Sequence, residues 1–202
     1  SKGEYTIEFE GLNAAGEGGG HVQVSGFDHN RQCKVRRWGP GVQAANFTAQ
    51  VDCYNDVGEF RDSNFLVSVI HPQSISASVD HFFNTSGVLY AWAGSPFVAN
   101  HTAHPDFSTG NVDISRTGVG MYQVNFLGRG STIPTQGGHV QVSSYGPDFT
   151  KCSVLSWASG EDFVANVGCS DPSGNPLDGA FTIGVIPSHA SSVGFAWANN
   201  PT

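Results

Sequence analysis

Along this chain apolar residues fall at every second position, in short runs broken by Gly, Pro, Asn and Asp. Tyr5, Ile7 and Phe9 alternate with polar or small partners, as do Val22 and Val24. Phe47, Ala49, Val51 and Cys53 follow, then Phe65, Val67 and Val69, then Val88, Tyr90 and Trp92. A period of two marks a half-buried β-strand, because successive side chains leave opposite faces of the pleat. The runs predict short strands joined by turns, with no long helix.

The same runs then recur in the same order. The heptamer GGHVQVS stands at Gly19–Ser25 and, letter for letter, at Gly137–Ser143. Around it, Tyr5-x-Ile7-x-Phe9 is matched by Tyr122-x-Val124-x-Phe126, CKVRRW (Cys33–Trp38) by CSVLSW (Cys152–Trp157), and FTAQVDC (Phe47–Cys53) by FVANVGC (Phe163–Cys169). Gly58, Asp62 and Phe65 correspond to Gly174, Asp178 and Phe181, and Trp92 to Trp197. Equivalent residues lie 117 apart at Tyr5/Tyr122, 119 at Cys33/Cys152, 116 at Phe65/Phe181 and 105 at Trp92/Trp197. The length changes thus fall between blocks, as loops allow and paired strands do not. The first copy has an insertion around His71–Phe83 that the second lacks. The expected architecture is all-β, two tandem antiparallel β-sandwich modules of jelly-roll or Ig-like type, repeat 1 over residues 1–105 and repeat 2 over 106–202. A strict immunoglobulin domain is not expected, because Trp38 follows Cys33 by only five residues and no tyrosine corner precedes the second cysteine.

Parity sends His21, Gln23 and Ser25 to the face opposite Val22 and Val24, a polar face, exposed or covered by a loop. It gives the cysteines an inward position and makes the tryptophans core aromatics near strand ends. The second copy also begins with Asn111–Arg116, a segment with no counterpart before Tyr5. The Tyr5–Phe9 strand is therefore expected to have an open edge, filled by a neighbouring strand or blunted by Lys2, Glu4, Glu8 and Glu10. A longer array of modules is the favoured origin of this incomplete phase.

Two cysteines per copy, at matched positions, predict Cys33–Cys53 and Cys152–Cys169 disulfides and hence an oxidising, secreted or extracellular setting. Only 13% of residues are charged and the formal net charge is −8, which argues against a nucleic-acid surface. No apolar run approaches the roughly 20 residues of a membrane helix, so no membrane insertion is expected. The sequons at Asn46, Asn84 and Asn100 do not discriminate between compartments.

At this point the chain resembles tandem modules of secreted, largely uncharacterised bacterial proteins, with the pattern V-x-R-x-G-x-G-x-Y-x-V-x-F, G-G-x-V-Q-V, C-x-V-x-x-W, V-x-C and D-x-x-F-x-V. The matching segments are Val112–Phe126, with Ile114 and Ser115 departing from it, then Gly137–Val142, Cys152–Trp157, Val167–Cys169 and Asp178–Ile183. The resemblance implies an exported β-rich repeat and brings no catalytic residue with it.

Candidate chemistry is sparse. His21 and His139 are the histidine pair kept by both copies, and serve either hydrogen bonding or a shared ligand surface. His101, His104 and Asp106 form H-x-x-H-x-D in the linker, a spacing that could reach one metal ion, although no regular element is expected to hold them. Asp80 and His81 sit in the insertion beside Phe82 and Phe83, where a sandwich could carry a binding site. They lack the nucleophile elbow of a hydrolase. Asp62 and Asp178 read as turn caps rather than calcium ligands, since a turn-capping aspartate explains the position with fewer assumptions and a calcium site would want two or three more acidic residues nearby. No cofactor is expected. The expected function is an extracellular structural, adhesive or assembly-forming repeat protein, non-catalytic, whose partner is another copy or a cell-surface glycan. A pair of carbohydrate-binding modules is the alternative, which requires exposed tryptophans; a hydrolase with its site in the 71–83 loop comes third.

Overall fold

The computed structural model describes residues 2–12, 20–26, 30–70, 88–104, 108–133 and 138–187. The protein is all-β. From the first copy come β1 (Glu4–Phe9), β2 (His21–Gly26), β3 (Arg31–Pro40), β4 (Phe47–Asn55), β5 (Phe65–Ile70) and β6 (Leu89–Ala93). From the linker and second copy come β7 (Asn100–Thr102), β8 (Val112–Gly118), β9 (Met121–Phe126), β10 (His139–Tyr145), β11 (Lys151–Ser159), β12 (Phe163–Ser170) and β13 (Ala180–Ile186).

Each copy repeats one internal plan. β1–β4–β3 and β9–β12–β11 are equivalent antiparallel trios, and β2–β5 and β10–β13 are equivalent antiparallel pairs, each joined in sequence through two strands of its copy's trio. The register is conserved between copies: Phe9 faces Phe47 as Phe126 faces Phe163, and Cys33 faces Cys53 as Cys152 faces Cys169. Both trios carry a bulge at the same place, between Val35 and Arg37 and between Val154 and Ser156. A bulge adds one unpaired residue, so Val35 and Trp38 can both turn inward although three positions separate them. Val22, Val24, Val35, Phe47, Ala49, Val51 and Cys53 are buried in one core. Val124, Phe126, Phe163, Ala165, Val167, Phe181, Ile183 and Val185 are buried in the other.

Sheets do not stop where the copies do. One six-stranded sheet runs β1–β4–β3–β10–β13–β6, so strands of the second copy lie between strands of the first. β3 meets β10 in parallel at Val35 and Tyr145, where the Gly146 amide donates to the Val35 carbonyl at 2.9 Å. β6 pairs with β13 along its whole length, Leu89 opposite Val185 and Ala93 opposite Phe181. Its Leu89, Ala91 and Ala93 enter the core of the second copy. Tyr90 and Trp92 do share a face, as their parity requires, but it is the opposite one: Tyr90 stacks on His21, and Trp92 packs edge-on against Trp38 and Tyr145. Both faces of β6 are therefore covered, which is why the strand reads as an unbroken apolar run, LYAWA.

Both disulfides form as expected, Cys33–Cys53 and Cys152–Cys169, each between directly opposed residues of adjacent strands. They close loops of 20 and 17 residues, a length at which the chain-entropy contribution is about 3 kcal/mol each. A second tie joins the copies. Lys34, fully buried, donates from Nζ to the Asp148 carboxylate at 2.6 Å and to the Asp148 carbonyl at 2.9 Å. Tyr54 stands edge-on to Phe149 beside this pair. Burial draws the Lys34 ammonium below its usual range, opposed by the Asp148 hydrogen bond and charge. The Asp148 carboxyl is pushed up by partial burial, but its bonds to Lys34 and Thr150 outweigh this and hold it below its usual range.

Removing one partner of such a pair strands a charge, whereas an apolar replacement of the buried one does not. D148A is therefore expected to cost about 2 kcal/mol, less than a fully buried pair because Asp148 is half exposed. K34M is expected to cost clearly less, and urea unfolding of the two variants compares them directly.

Candidate functional site

The two identical heptamers meet each other. β2 lies with its free edge against β10 and β13, and the hydroxyls of the second copy satisfy its backbone. Thr182 Oγ1 donates to the Val22 carbonyl at 2.7 Å, and the Val24 amide donates to Ser143 Oγ at 2.9 Å. Ser143 Oγ also lies 2.7 Å from Gln23 Oε1 and 3.1 Å from the Val24 carbonyl, its two available acceptors. The Gln23 amide nitrogen is surrounded by acceptors: Thr182 Oγ1 at 3.1 Å, the Thr182 carbonyl at 3.3 Å, the Gln141 carbonyl at 3.4 Å and His21 Nε2 at 2.7 Å. The reciprocal bond, Gln141 Nε2 to Ser25 Oγ at 3.1 Å, lies on the exposed side. Gln23 with Ser143 and Gln141 with Ser25 are thus equivalent residue pairs in contact, with the donor reversed: Ser143 Oγ donates to Gln23 Oε1, whereas Gln141 Nε2 donates to Ser25 Oγ.

His21 stands in this seam with 1% of its surface exposed. Because Gln23 donates to Nε2, the proton sits on Nδ1, which is buried without a hydrogen-bond partner among the described residues. Burial pushes its pKa down to about 3, so the ring is neutral at ordinary pH. Gly184 is required opposite it, since a Cβ there would stand 2.9 Å from Nε2. The polar face read from the sequence is real, but it is buried against the second copy, and His21 has no open path to a ligand. His139 is half-buried, faces Ile186 across the ladder, and is likewise shifted down by burial.

The remaining candidates are not brought together. His101, on β7 opposite Ile114, has both ring nitrogens enclosed without a hydrogen-bond partner among the described residues. His104 accepts through its carbonyl from Ser108 Oγ at 2.9 Å. Among the described residues no group of three or more His, Cys, Asp or Glu could hold a metal ion. Asp106, Asp80, His81, the 71–83 insertion and Trp197 lie outside the described residues. The Asn46 sequon is not presented to solvent, because its side chain donates to Glu8 Oε1 at 2.8 Å and accepts from the Gly11 amide at 3.0 Å.

The aspartates of the G-x-x-x-D-x-x-F turn do cap, and they cap across the fold. Asp178 Oδ1 accepts from the Gly120 amide at 2.7 Å and lies 3.2 Å from the Tyr122 hydroxyl, while Arg116 donates to both carboxylate oxygens at 3.0 and 2.8 Å. The Arg116 hydrogen bond leads the interactions that hold the Asp178 carboxyl below its usual range. Asp62 repeats two of these bonds, from the Gly3 amide at 2.8 Å and the Tyr5 hydroxyl at 3.3 Å. Parity alone could not show that Asp178 also holds an arginine.

A cleft of about 420 Å³ opens on the outer side of the first trio, lined by Thr6, Glu8, Arg37, Trp38, Pro40 and Gln50 among others. Thr6, Gln50 and Arg37 form one transverse row, with Arg37 Nε donating to Gln50 Oε1 at 2.9 Å. The same row in the second copy is Gln123, Asn166 and Ser156, also joined by hydrogen bonds. Trp38, Trp92 and Trp157 are all partly covered, between the buried and exposed extremes. No family model matches the chain, and no curated protein or solved structure matches it.

The His21 pKa is about 3 when folded and 6.5 when free, so its contribution to stability is complete above pH 6.5 and is lost as pH falls towards 3. The loss is about 1.4 kcal/mol per pH unit in that window. H21N is expected to be flatter than the wild type by that amount between pH 6 and 5, where most carboxylates stay ionised; denaturant unfolding at each pH measures the difference.

Proposed function

We propose that this protein is an extracellular, non-catalytic structural unit, adhesive or assembly-forming, made of two β-sandwich repeats, residues 1–105 and 106–202. The observation that carries the reading is the use made of the polar residues common to both copies. Gln23, Ser143 and their equivalents bind the copies to each other, and Asp62 and Asp178 each tie their turn to a distant backbone amide and tyrosine hydroxyl. Polar groups spent on holding the fold together are unavailable for chemistry. Two disulfides suit an oxidising environment and support a secreted location. No helix among the described residues is long and apolar enough to cross a membrane. The resemblance to tandem modules of secreted bacterial proteins agrees with this reading. Light scattering over a range of protein and salt concentration tests assembly: growth of the scattering mass with concentration is expected, and a monomer throughout would oppose it.

A second reading, glycan binding, is favoured by the cleft on the outer side of the first trio, whose lining includes Trp38 together with Arg37, Gln50 and Glu8. If it holds, a glycan that binds the protein is expected to lose at least about tenfold in affinity in the R37A/Q50A variant, a loss of about 1.4 kcal/mol, with unchanged thermal stability. Titration calorimetry reads it.

A further inference from the structure

We propose that Lys34 and Asp148 condense to an isopeptide bond, a covalent cross-link between the two copies that forms within the folded chain. Lys34 Nζ lies 2.6 Å from Asp148 Oδ1, one bond from the carboxyl carbon, and 2.9 Å from the Asp148 carbonyl. The lysine side chain is wholly shielded from solvent, whereas that of Asp148 is half exposed. In water a carboxylate and an ammonium do not condense, because both ions are well hydrated. Two features change that here. The fold holds the reacting groups together, and enforced proximity of this kind is worth effective molarities of about 10⁵–10⁸ M. It also takes the lysine out of water, so that a neutral amide would relieve a buried charge. Burial draws the Lys34 ammonium towards its free-amine form, and pushes up the carboxyl of Asp52, which stands directly opposite in the ladder.

The step balances without an oxidant or a co-reactant. Lys34 holds the Asp148 carboxyl low, so the pair starts as two ions. One proton passes from the ammonium to Oδ2, leaving an amine and a carboxylic acid. The nitrogen lone pair then forms the N–Cγ bond, and the C=O electron pair moves on to Oδ1. The Thr150 amide donates to Oδ1 at 3.0 Å, at the atom where that charge develops. Collapse expels Oδ2 as hydroxide, which takes a second proton from nitrogen and leaves as water through the exposed side of Asp148. The second copy has Ser153 at the position of Lys34, so one bond per chain is expected. Each disulfide lies within one copy, whereas this bond joins residues 114 apart across both copies and withstands reduction.

Intact mass spectrometry of the full chain, reduced and denatured, reads the bond directly. The wild type is expected about 18 Da below the mass of its sequence, the loss of one water, and the K34R and D148A variants at the masses of theirs. Tryptic digestion of the wild type is then expected to give a branched peptide that joins Lys34 to Asp148, because an acylated lysine is not cleaved. A wild type at its full sequence mass, or one cleaved after Lys34, would overturn the inference. So would the same loss persisting in D148A, which would place it elsewhere in the chain. These outcomes do not depend on whether the protein adheres or assembles. D148A and K34M both forgo the bond, so each then costs more than the ion pair alone and their order in urea is unchanged.

Discussion

The arrangement depends on how one sheet edge is hidden. Among the described residues β2 pairs with β5 on one side only, and its other edge would leave the Val22 and Val24 backbone groups buried and unmatched. Orphaned groups of that kind cost about 1–3 kcal/mol apiece. Thr182 and Ser143 supply hydroxyls at the required positions, so the edge ends on side chains of the other copy rather than on another strand. A hydroxyl both donates and accepts, which lets Ser143 satisfy an amide and still reach an acceptor. Once this edge is tied to β10 and β13, the placing of His21 against Tyr90 and of Trp38 against Trp92 and Tyr145 follows from it.

Identical sequences here occupy different environments. His21 and Gln23 are buried, whereas His139 and Gln141, in the same heptamer, are only half-covered. The first heptamer lies against Thr182, whose counterpart Leu66 is 68% exposed and has no hydroxyl. A duplicated chain that packs against itself can retain a motif for a self-complementary contact and still vary everything around it.

Most strands, their parity, the disulfides and the duplication were legible in the sequence because each is a local pattern with a fixed period or position; β7 was not, since Asn100–Thr102 is too short and polar to alternate, and His101, expected on no regular element, lies on it. Phe47, Ala49, Val51 and Cys53 share a buried face as their spacing requires. The partnership of strands was not legible. Nothing in LYAWA distinguishes a strand that returns to its own copy from one that joins β13, since both demand a strand covered on two faces. Lys34 was missed for a similar reason: between inward Cys33 and Val35 its parity points it away from the core, as a solvent-facing lysine would be, until Asp148, contributed by the second copy, is seen covering that face. Of the candidate site, the polar face of the heptamers was foreseen and its burial was not, while the arginine held by Asp178 required the three-dimensional neighbourhood of β8.

β6 also sets an order of events for the chain as it is made. Leu89–Ala93 is synthesised well before its partner Ala180–Ile186 exists, and it is apolar on both faces. Until β13 arrives, an aromatic strand that its own copy does not pair with must wait, and long-range strand pairing is slow to form. A chaperone would meet the nascent protein in that interval, while Tyr90 and Trp92 still lack the covering that the second copy brings.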